Sequence, residues 1–170
     1  MPRLPPWAPL LLCLGLCACP YSAAVPLDAP GSGTIDSRLL GRWVQTREKE
    51  AGFAEFEFSA FDSRQYFVSM SSREPFKPDE EARYRVFSSS VGGRTFLNCR
   101  DLGEKESYTL AVYELPDPGT LVLSFVNDEA MKPAGEVKAS KALRRFVAEH
   151  MADKGFFEPG FTLKRAPDRK

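Results

Sequence analysis

Between Gly41 and Val126 the chain is a succession of seven short strand-forming runs broken by turn chemistry, and nothing else in the sequence constrains the fold as much. The runs are Arg42 to Lys49, Phe53 to Ala60, Gln65 to Ser71, Glu81 to Phe87, Thr95 to Arg100, Ser107 to Glu114 and Thr120 to Val126. The breaks are Phe61-Asp62-Ser63, a polar stretch with Pro75 and Pro78, Gly92-Gly93, Gly103-Glu104-Lys105 and Pro116-Asp117-Pro118-Gly119. Connections this short join neighbouring strands antiparallel, so the runs predict a meander. A long meander leaves two unpaired edges unless it closes on itself, and closure predicts a barrel.

Phe53 to Ala60 alternates aromatic and acidic residues, placing Phe56 and Phe58 on one sheet face and Glu55 and Glu57 on the other. An unpaired carboxylate is costly to bury, so the Phe face is expected inside and the Glu face in water. After Val126 the period changes. Ala139, Leu143, Phe146, Val147 and His150 share one helical stripe between Val137 and Met151, opposite Lys138, Lys141, Arg144, Arg145 and Glu149. Gly155 is placed to end this helix, and Phe161 to Arg165 forms a last strand before a tail at residues 167–170. The expected fold is all-β: one antiparallel meander β-barrel of about eight strands with one C-terminal α-helix, spanning residues 35–166.

The N-terminus carries an address. An apolar run from Leu10 leads to Leu16-Cys17-Ala18-Cys19, the spacing at which bacterial lipoprotein signals are cleaved. Residues 1–18 then form a signal peptide, and Cys19 becomes the lipid-bearing first residue of a protein anchored in the cell envelope and facing the periplasm. Acyl chains hold such a protein by about 0.8 kcal/mol per buried CH₂. Ser22-Ala23-Ala24 offers a rival cleavage, giving a soluble secreted protein from Val25. Residues 19–34, rich in Pro, Gly, Ser and Ala, read as a flexible tether.

Gly41-Arg42-Trp43, at the start of the first strand, resembles the Gly-x-Trp signature of the lipocalin-like barrels, the calycins. The glycine lets the strand bend across the closed end, and the tryptophan plugs it. The resemblance implies an arginine from the last strand stacked on that tryptophan, which falls on Arg165, and a domain like those of compact bacterial lipoproteins. That family has eight strands ahead of its helix, where this chain shows seven.

The chain offers little for catalysis. His150 is its one histidine and lies on the apolar helical stripe, where packing is its expected role. Cys13, Cys17 and Cys19 belong to the signal and anchor, leaving Cys99 as a lone thiol without a disulfide partner. One His and one free Cys do not make a thiol–imidazole zinc site, no Asp-x-Asp-x-Asp spacing occurs, and no cofactor is expected. The 23 basic and 23 acidic residues balance, which gives no pull toward nucleic acid.

The expected function is therefore non-catalytic. One reading is a hollow barrel holding a hydrophobic or amphiphilic small molecule among Phe56, Phe58, Tyr84, Tyr108 and Phe125. The other is a filled barrel that binds an envelope protein, as hydrolase inhibitor or accessory subunit, through the loops Ser71 to Asp79 and Asn127 to Glu136. Phe156 and Phe157 are expected to cover a barrel end.

Overall fold

The computed structural model describes residues 20–46, 53–73, 80–103 and 107–167. Its strands are β1 (Ser22–Ala23), β2 (Gly41–Thr46), β3 (Phe53–Ala60), β4 (Gln65–Arg73), β5 (Glu80–Val91), β6 (Arg94–Asp101), β7 (Tyr108–Asp117), β8 (Thr120–Val126) and β9 (Phe157–Arg165). From β2 to β9 each strand bonds antiparallel to the next, and β9 pairs back onto β2. The result is a closed eight-stranded antiparallel meander with no open barrel edge. The eighth strand follows the helical segment, so the connection from β8 to β9 carries α1 (Asp128–Met131) and α2 (Ser140–His150).

One end of the barrel is sealed by side chains. Trp43 is fully buried there, and its indole N–H donates to the Leu39 carbonyl at 2.8 Å. Arg165 stands opposite Trp43 in the β2–β9 register, with its guanidinium 4.1 Å from the indole centre. The same guanidinium donates to the backbone carbonyls of Leu40 and Arg38, in the turn before β2, and of Pro118, in the turn between β7 and β8, tying the last strand to both. Gly41 opens β2 at φ +110°, where a side chain would be strained and its Cβ would lie 3.2 Å from Arg165 Nη1. Asp36 completes this end, accepting from Arg38 and, at 3.0 Å, from the Tyr113 hydroxyl.

A second core lies outside the barrel wall. On β6 and β7, Leu97 and Ala111 point inward while Phe96, Leu110 and Val112 point outward, yet all five are buried. The outward set is covered by Tyr21, Ala23 and Leu27 from the N-terminal segment, by Met131 of α1 and by Leu143 and Val147 of α2. Alternation alone predicts a polar outer face. An overlying layer makes both faces apolar, as in any sheet packed on two sides.

This layer corrects two expectations. The stretch read as a flexible tether, residues 19–34, is from Pro20 onward packed on the wall. β1 pairs with β7, the Tyr21 N–H donates to Val126 at 2.9 Å, and the Leu27 N–H donates to Asn98 Oδ1 at 2.8 Å. Asn98 is fully buried and donates in turn to Ser89 and Phe87, so its polar atoms are satisfied under the strap. Phe156 and Phe157 do not cover a barrel end. Phe156 is buried in the outer core, and Phe157, in register with outward-facing Val126, packs against it, while the next residue, Glu158, takes the inward register. Among the described residues, no helix is long and apolar enough to cross a membrane.

Candidate binding cavity

Alternate residues of every barrel strand point inward, and at the end opposite Trp43 they leave a space rather than filling it. The cavity measures about 380 Å³. Phe56 and Phe58 (β3), Val68 and Met70 (β4), Tyr84 and Val86 (β5), Leu97 and Cys99 (β6), Thr109 and Ala111 (β7), Leu123 and Phe125 (β8) and Phe161 (β9) form its wall, with Pro20, Glu158, Pro159 and Gly160 also lining it. Within the wall Phe161 meets Phe56 edge-on at 4.9 Å and Phe125 edge-on at 6.1 Å.

Two local features shape this opening. β9 slips by one residue against β8 between the pairs Leu123–Phe161 and Ser124–Pro159. The slip places Gly160 flat against β8, where a Cβ would fall 2.4 Å from the Phe125 ring and 2.7 Å from the Leu123 carbonyl. Glycine is thus required for the approach of the two backbones. Pro20 also bridges to Asn127, so the chain enters the described structure beside the cavity.

Four of the five residues expected around a ligand, Phe56, Phe58, Tyr84 and Phe125, line this cavity together. Tyr108 does not. Its neighbour Thr109 faces inward, opposite Cys99, so Tyr108 turns outward against the outer core and sits 6.3 Å from the Phe87 ring. A one-residue step along a strand reverses the face. Phe96 turns outward for the same reason. Sequence reasoning missed Glu158, whose neighbours Phe157 and Pro159 gave no alternation to place it.

Cys99 faces the cavity, and burial pushes its thiol up to about 12. Its partial surface opens onto the cavity, an apolar space in which a thiolate is poorly solvated. Cys19 lies outside the described residues. His150 rests 4.3 Å from the Phe146 ring with Nδ1 2.9 Å from Asp153, at the end of α2 and away from the cavity.

The remaining charge clusters serve the fold. Glu55 holds Arg42 through two contacts of 2.8 and 3.0 Å on the outer face of β2 and β3. Arg85 stacks on Phe61 at 3.2 Å, and Arg144 of α2 pairs with Asp28 of the N-terminal segment at 2.6 Å. The stretch Asn127 to Glu136, expected as a binding loop, is instead largely helical, capped by Asn127 and anchored by buried Met131. Compared with protein-family models and with curated proteins, the chain matches none.

Proposed function

We propose that this chain is a lipocalin-like barrel that binds a hydrophobic or amphiphilic small molecule and performs no chemistry on it. One observation carries this reading: the closed barrel is hollow, with about 380 Å³ of space walled by aromatic and aliphatic side chains. That volume falls in the range of ligand pockets, and an apolar wall of this kind gains about 0.8 kcal/mol for each CH₂ it removes from water. The Trp43–Arg165 closure and Gly41 support the lipocalin-like assignment.

The reading includes export and a lipid on Cys19, which places the barrel at a bacterial envelope membrane. Two features favour cleavage before Cys19 over cleavage before Val25. Tyr21 and Ala23 are buried in the outer core, and β1 adds to the sheet, so a chain starting at Val25 loses part of its packing. Pro20 at the cavity rim would then set the anchor near the mouth, where a membrane-derived ligand would enter.

Native mass spectrometry of the full chain, expressed with its own N-terminus and purified gently, tests both parts. The expected result is a mature mass beginning at Cys19 with acyl chains, together with an extractable adduct in the lipid range. A clean apo mass that does not shift when phospholipid is added would contradict the binding reading.

A further inference from the structure

The cavity is chemically lopsided. Its wall is apolar, but at one side of its mouth stands Glu158, opposite Phe125 in the β8–β9 register. The Oε2 atom of Glu158 is shut off from solvent and has no hydrogen-bond partner among the described residues. A carboxylate oxygen in that position forfeits its hydration without compensation, so a counter-charge on the open side of the carboxyl is favoured. Burial, and secondarily the charge of Asp128 on α1, hold this carboxyl above the usual glutamate range. No Lys, Arg or His stands among the described residues lining the cavity.

The charge at the mouth specifies the head group. Oε2 itself is closed even to water, so a head in the cavity meets the open side of the half-buried Glu158 carboxyl, and it must suit a site whose near charges, Glu158 and Asp128, are both acidic. A carboxylate head has no donor when ionised and meets like charge. An alcohol donates one neutral hydrogen bond. An ammonium donates several, each strengthened by charge.

We propose that the cavity selects single-chain amphiphiles with an ammonium head, the chain lying among Phe56, Phe58, Leu97 and Phe125 and the head donating to the Glu158 carboxylate. The inference rests on the binding reading above and names its ligand class. Glu158 is then the residue that sets specificity, while the apolar wall supplies most of the affinity.

The test compares decylamine, decanol and decanoic acid, which share one chain and differ in the head, on the purified full chain by native mass spectrometry. The neutral fluorophore N-phenyl-1-naphthylamine serves as a head-independent probe. Decylamine is expected to occupy the protein at least about tenfold more tightly than decanoate, with decanol between them. The near-isosteric variant Glu158→Gln should weaken decylamine by about tenfold and change decanol by less than about threefold, because it removes charge and keeps shape. Its retention of the fluorophore shows that the barrel is intact. Decanoate binding as tightly as decylamine, or decylamine unaffected by Glu158→Gln, overturns the proposal while fluorophore binding leaves the cavity reading standing. Failure of the fluorophore and of all three amphiphiles on the native chain overturns both.

Discussion

Trp43 and Arg165 come from the first and last barrel strands and close one end as a pair, with the guanidinium over the indole and bonded to three backbone carbonyls. Beside them Asp36 gathers Arg38 and Tyr113. The Arg38 hydrogen bond, more than any other partner, holds the Asp36 carboxyl below its ordinary value of 3.8. A carboxyl depressed in the folded state adds stability at every pH above its unfolded value, and that contribution fades as pH falls through the folded value. The barrel should therefore lose stability below about pH 4, and Asp36→Asn should flatten that acid limb. The difference is expected to stay under about 1 kcal/mol because Arg38 is solvent-exposed. Urea unfolding midpoints measured from pH 6 to pH 3 check it; parallel acid limbs for both proteins would contradict it. Residues of this kind differ in how visible they are beforehand. Gly41, Trp43 and Arg165 are legible because each has a residue-specific job at a strand end. Tyr108 is misread because it sits one position from the inward register, and composition does not reveal parity.

Among the elements, the strands were the most legible. The seven runs before the helices fall on β2 to β8, and the structure lengthens several of them, carrying β5 from Glu80 to Val91 and β7 from Tyr108 to Asp117. The N-terminal segment was the least legible. Pro, Gly and Ser dominate it, and only Tyr21, Ala23 and Leu27 reveal that it docks. Its binding partner is the outward face of β6 and β7, whose apolar residues look like barrel lining until the overlay is seen. The docked segment predicts a sharp effect of truncation. A chain beginning at Val25 lacks β1 and uncovers part of the outer core, and should lose about 3 kcal/mol, the scale of burying one large aromatic residue with its backbone bonds. Chemical denaturation of the two forms measures this, and equal midpoints would show that residues 20–24 add nothing to the fold.

For the whole molecule, closure explains both strength and capacity. Pairing β9 with β2 removes the barrel's edges, and the outer core braces the wall from outside, so the interior is not the only source of stability. A barrel with two cores can leave part of one empty. That division was hidden in the sequence, where the aromatic residues counted toward one interior, although Phe56, Phe58 and Phe125 line the cavity while Phe96 and Phe156 build the outer layer. Whether the space is filled depends on how rings on neighbouring strands meet, which periodicity does not encode.

The hollow interior is most directly tested by blocking it. Ala111 is buried on the cavity wall and faces Phe125 across the β7–β8 pair. Ala111→Phe should occupy the space that a ligand needs while leaving the outer core untouched. Titration with N-phenyl-1-naphthylamine, followed by its blue-shifted emission, should give saturable one-site binding to the native chain and at least about a tenfold loss in the variant. Equal binding to both proteins, with the variant folded by circular dichroism, would place the fluorophore elsewhere and contradict a ligand-binding cavity.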